Sequence, residues 1–119
     1  MIIRSLKDTA SFGAGDASLL KELLHPAKEP LAIGYSLAHA EVGAGERTRP
    51  HRLKSAEVYF ILEGRGRMHV GPETAEVGTG QAVYVPPGEV QFIESAGPGP
   101  LRFLCLVDPA WTPGDEEVL

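Results

Sequence analysis

Cysteine is close to absent: the 119-residue chain carries one, Cys105, so no intrachain disulfide can staple it. That residue lies in the apolar run 101–107, where a small buried thiol is expected rather than a reactive one. Positive charge is also short. Eleven Lys and Arg against 16 Asp and Glu give a formal net charge of −5, which would repel a polyanionic partner. Arg47, Arg49, Arg52 and Lys54 form only a local basic cluster, so nucleic-acid binding is not expected. No apolar run approaches the roughly 20 residues that span a bilayer, and residues 1–5 lack the layout of a secretory signal. The expectation is therefore a protein with no membrane partner and a cytoplasmic location.

What the chain does have in quantity is punctuation. Fourteen Gly and ten Pro separate short apolar-rich segments, and the length suits a single domain, 1–119, with one core. A short helix is expected over 17–25, capped by Asp16, striped by Leu19, Leu20, Leu23 and Leu24, and stopped by Pro26. His25 would then be a helix-end residue favoured by the dipole. Everything after Pro30 reads as strands, over 32–42, 57–62, 66–70, 74–77, 82–85, 91–94 and 101–107. Short strands with glycine turns predict an all-β fold, an antiparallel sandwich or barrel, with one short N-terminal helix.

Alternation along 57–62 puts Glu57, Tyr59 and Ile61 on one face and Val58, Phe60 and Leu62 on the other. Both faces carry apolar groups, so the outer one needs a cover: the N-terminal helix, the tail around Trp111, or a second copy of the chain. The last option makes a homodimer the expected assembly, with residues 1–6 as an edge strand that could join the partner's sheet.

Two glycine-framed stretches carry the functional signal. Gly45-x5-His51-x-Leu53-x3-Glu57-x6-Gly64 is followed by Gly80-x5-Pro86-x-Gly88-x2-Gln91-x3-Ser95. The pair resembles the two signature motifs of the cupin superfamily, G-x5-H-x-H-x3,4-E-x6-G and G-x5-P-x-G-x2-H-x3-N. The spacing matches throughout, while Leu53 and Gln91 stand where the pattern has its second and third histidines and Ser95 stands for its asparagine. The resemblance covers about residues 32–107 and implies a double-stranded β-helix, the jelly-roll cupin barrel. It also implies a divalent metal ion (Zn, Mn, Fe or Ni), held weakly or not at all, with His51, Glu57 and Gln91 as candidate ligands.

Residue chemistry leaves the roles open. Glu57 begins an apolar strand, where burying a carboxylate favours a metal or cationic partner. Gln91 could coordinate or could orient a polar ligand through hydrogen bonds. Tyr59, Met68 and Tyr84 are the candidate walls of a small-molecule pocket. His39 and His69 are candidates to replace a missing imidazole, although alternation turns His69 away from Met68 and Val70. The functional expectation is a small single-domain cupin of unassigned reaction that binds a metal or a small polar ligand inside the barrel. Alternatives are a metal-dependent dioxygenase or isomerase on a small organic substrate, and a metal-free structural or assembly protein. Gly64-Arg65-Gly66 lacks the context of a phosphate loop, and the serines lack that of a nucleophile elbow.

Overall fold

A computed structural model describes residues 1–14 and 17–119. Among these, the strands in chain order are β1 (Phe12–Gly13), β2 (Leu19–Leu24), β3 (Ser36–Val42), β4 (His51–Leu53), β5 (Ala56–Glu63), β6 (Arg65–Val70), β7 (Glu73–Gly78), β8 (Ala82–Val85), β9 (Gln91–Ser95), β10 (Leu101–Asp108) and β11 (Glu116–Val118). They form two antiparallel sheets. One has the order β1-β2-β3-β10-β5-β8 and the other β11-β4-β9-β6-β7.

The core lies between the sheets, and alternation decides what enters it. Odd-numbered residues of β5 and β10 point inward, so Tyr59, Ile61, Leu101 and Phe103 are buried opposite Met68 and Ile93 of the second sheet. Fully burying an apolar side chain of this size stabilises the fold by roughly 1.5–3 kcal/mol each. Tyr59 and Phe103 stack with ring centroids 5.0 Å apart. The even-numbered residues of the same strands turn outward, where Leu104 lies beside Phe60 and Leu106 beside Val58.

The helix expected over 17–25 is a strand instead. Leu19–Leu24 forms β2, paired antiparallel with β3, and among the described residues the helical content is limited to 3-10 turns at Leu6–Asp8 and Pro113–Asp115. The register slips between Glu22 and Leu24, leaving Leu23 as a bulge. That slip breaks the alternation and gives leucines at 19, 20, 23 and 24 a helix-like spacing in a sheet-paired segment. The proposed cap, Asp16, lies outside the described residues. His25 is correspondingly no helix end. It is buried, its Nδ1 accepts from the Ala27 N–H at 3.1 Å, and its Nε2–H donates to the Trp111 carbonyl at 2.6 Å. The C-terminal tail is thereby tied to the end of β2.

Candidate functional site in the barrel interior

The first glycine-framed stretch builds one wall of an internal cavity. Thr48 anchors it to β9: the Thr48 N–H donates to the Ile93 carbonyl and Thr48 Oγ1 accepts from the Ile93 N–H, both at 3.0 Å. After Pro50 the chain enters β4, whose alternation turns His51 and Leu53 inward and Arg52 outward. Arg52 Nε donates to Glu117 at 3.0 Å across the β4–β11 pair, which raises the guanidinium pKa and lowers that of the carboxyl. Ser55 Oγ donates to the Pro109 carbonyl at 2.7 Å and holds the turn into β5. At the far end of β5, Gly64 has φ +92°, and a Cβ there would sit 2.6 Å from the Pro100 carbonyl oxygen. Only glycine closes that turn.

The cavity has a volume of about 200 Å³. His51, 3% exposed, and Glu57, 6% exposed, both line it, so strands from opposite sheets deliver an imidazole and a carboxylate to one buried space. The Arg49 carbonyl lies 2.8 Å from His51 Nδ1 and can only accept. In the neutral ring Nδ1 therefore carries the proton, and Nε2 keeps its lone pair. Leu53, 5% exposed, lines the cavity where the cupin pattern has a second histidine.

Gln91 pairs directly with His51 across β4 and β9 and is 1% exposed, yet it does not line this cavity. Its Oε1 accepts a hydrogen bond from the Tyr59 hydroxyl. Tyr59 itself lines the cavity through its ring. Met68 and Tyr84 instead border a separate, more open cleft of about 650 Å³ beside the sheet-edge strands β7 and β8. Of the six residues singled out from sequence, His51, Glu57 and Tyr59 share the cavity, Gln91 stands behind Tyr59, and Met68 and Tyr84 lie elsewhere.

The two strand histidines both face away from the cavity. His69 sits on the outer face of its sheet, stacked on Phe92 at 3.9 Å, with Nε2 2.7 Å from Glu94 Oε2. Arg47 covers the other side of Phe92 at 5.4 Å and contributes a cation–π contact. His39 lies on the outer face of the six-stranded sheet among Lys21, Glu41 and Arg102. Burial pushes its pKa down, Arg102 and Lys21 push the same way, and Glu41 opposes them.

Sequence reasoning missed much of the cavity wall. Leu20 and Glu22 enter through β2, and Trp111 and Glu116 through the C-terminal tail. Trp111 is fixed by two bonds: its N–H donates to Ser36 Oγ at 2.9 Å, and its carbonyl accepts from His25. Its being the one tryptophan of the chain was the available signal.

Comparison with known proteins agrees with this geometry. A family model described as a cupin domain matches residues 38–107, which span β4, β5 and β9 and most of β3. An uncharacterized protein of Methanocaldococcus jannaschii is 41% identical over 105 residues, covering 87% of this chain and 83% of that one. The dimethylsulfoniopropionate lyase DddW of Ruegeria pomeroyi is 40% identical over 67 residues, 56% of this chain but only 43% of the lyase. A solved structure described as a predicted oxalate decarboxylase from Thermotoga maritima superposes with TM-score 0.79 at 20% identity, over 92% of this chain and 99% of that one. At that identity the likeness is one of fold. With the domain pattern running through the strands that build the cavity wall, the chain belongs to the cupin family.

Proposed function

We propose that this chain is a single-domain, ligand-binding cupin that takes a small organic molecule into the barrel cavity, with His51 and Glu57 as its polar contacts. The observation that carries the reading is the burial of those two side chains against a cavity of about 200 Å³. That space equals roughly seven waters at about 30 Å³ each, which suits a compact metabolite. A thermal-shift screen of small metabolites tests it. Compounds are expected to stabilise the native chain and to lose that effect in His51→Ala; a cavity that responds to none of them would end the reading.

A resident divalent ion, implied by the family, fits this donor set poorly. His51 Nε2 and the Glu57 carboxylate can coordinate, but Gln91 lies outside the cavity lining with its Oε1 turned to Tyr59, and Leu53 offers nothing. Among the described residues, no group of three His, Cys, Asp or Glu side chains is placed to hold a metal. Two protein donors fall short of the three that open catalytic zinc sites use. Protein purified without added metal is expected to contain well under one equivalent by elemental analysis.

A homodimer belongs to the same proposal. The outer face of the six-stranded sheet aligns Leu37, Leu106, Val58 and Tyr84 in one row, with Leu104 and Phe60 beside it. Phe60 is 39% and Tyr84 63% exposed, which makes this face the natural place for a second copy. No helix is long and apolar enough to cross a membrane, and a cytoplasmic location is proposed on composition alone.

A further inference from the structure

We infer that residues 1–3 of one copy lie in the cleft between β7 and β8 of a second copy. The inference rests on the homodimer proposed above and names the segment and the surface that join the copies.

The cleft is where both sheets stop. β8 ends the six-stranded sheet and β7 ends the five-stranded one, so among the described residues each pairs on one side only. An end strand leaves a row of backbone N–H and C=O groups open to an added strand. Between the two lies the cleft of about 650 Å³, lined in part by Met68, Val70, Val77 and Val83. Tyr84 lines it as well and also ends the apolar row on the outer face of the six-stranded sheet. The cleft therefore continues the surface assigned to the second copy.

Exposure and charge select the occupant. Residues 1–5 have no regular structure, and Met1 and Ile3 stand in solvent. Val118 and Leu119 are exposed too, but they follow Asp115, Glu116 and Glu117, and β11 already pairs with β4. Exposed Glu73, Glu76 and Glu89 rim the cleft, and no Lys or Arg lines it among the described residues. That rim repels a segment led by carboxylates. Residues 1–7 contain Arg4 and Lys7 and no acid. Glu29 of the same copy pairs with Arg4, so charge chooses between the two segments while burial of Met1, Ile2 and Ile3 supplies the affinity. The same ion pair holds the root of the arm and leaves residues 1–3 to project.

The fold also sends the arm to the correct side. Leu6 lies on the outer face of the six-stranded sheet beside β2, where its carbonyl accepts from Lys21 Nζ at 2.7 Å. β8 lies at the other edge of that sheet. Two copies stacked on their outer faces about a two-fold axis along the strands place the β2 side of each over the β8 side of the other. Five extended residues reach roughly 17 Å, which exceeds the roughly 10 Å between packed sheets and lets the arm turn around the β8 edge. Symmetry makes the exchange reciprocal.

Sedimentation velocity of the native chain is compared with that of two variants. Ile3→Asp puts a carboxylate on the arm, and Ala75→Arg fills the cleft from an exposed position of β7. Each is expected to raise the dimer dissociation constant at least about tenfold while keeping the native circular dichroism, since neither position belongs to the core. Placement is read by mixing two single variants, Ile3→Cys and Ala75→Cys, with oxidised glutathione. A disulfide-linked pair with one chain of each is expected, and the native thiol, Cys105, is buried. If Ala75→Arg does not fold, Ile3→Asp and the cross-link decide. A native dimer that Ile3→Asp leaves unchanged, or that gives no mixed cross-link, overturns the arm and leaves the homodimer standing. Ile3→Cys linked mainly to itself does the same, because the arms then meet each other. A monomeric native chain overturns the homodimer and the arm together.

Discussion

The Tyr59 hydroxyl, on one sheet, donates to the amide oxygen of Gln91 on the other, and both residues are at most 2% exposed. This bond ties the two layers together beside the cavity. It also turns the Gln91 amide oxygen toward the phenol, at the position where the cupin pattern has its third histidine.

Removing the phenol oxygen should therefore cost more than one average hydrogen bond. Tyr59→Phe leaves the Gln91 carbonyl buried without its donor, and the expected loss is about 1–3 kcal/mol. Adding Gln91→Leu removes the stranded oxygen and should recover part of that loss. Urea denaturation of the two single variants and the double variant measures it. Strictly additive losses would show that the two side chains are not coupled.

Leu53 makes the complementary case. It lies two residues from His51 on the same wall, at the position where the cupin motif has an imidazole. Leu53→His should add a third donor to His51 and Glu57 and tighten Ni²⁺ binding at least about tenfold, or about 1.4 kcal/mol. Calorimetric titration of wild type and variant checks this. Unchanged affinity would mean that His51 and Glu57 do not point at a common centre.

Most of the barrel was legible because period-two alternation and glycine turns survive in the sequence. Glu57, Tyr59 and Ile61 read as inward residues and are buried. The failures have local causes. The bulge at Leu23 disguised β2 as a helix and with it hid Leu20 and Glu22 from the cavity list. Trp111 was legible only as a cover, because its place depends on His25 and Ser36, which lie 86 and 75 positions away. Gln91 could be placed at the right register but not partnered, since a contact between sheets leaves no periodic trace.

The outer face predicts an assembly. Phe60 sits beside Leu104 in the middle of the six-stranded sheet, and a charge there would be buried without a partner if a second copy covers it. Phe60→Glu should convert a dimer to a monomer at micromolar concentration, with little effect on thermal stability of the barrel. Sedimentation velocity distinguishes the two states. A monomeric wild type would refute the homodimer.

His39 predicts a pH dependence whose sign follows from its surroundings. It lies beside Lys21 on β2 and Arg102 on β10, with Glu41 next to it on β3, and burial is the largest cause of its lowered pKa. Protonation is therefore harder in the folded chain than in the unfolded one, whose histidine titrates near 6.5. Above that value His39 is neutral in both states and contributes nothing. As pH falls through 6.5 toward the lower folded pKa, the unfolded state takes up the proton first and stability is lost. His39→Gln removes that loss, so the difference in unfolding free energy between wild type and variant should shift in favour of the variant between pH 7 and pH 5. A difference that stays constant over that interval would show that His39 titrates alike in both states.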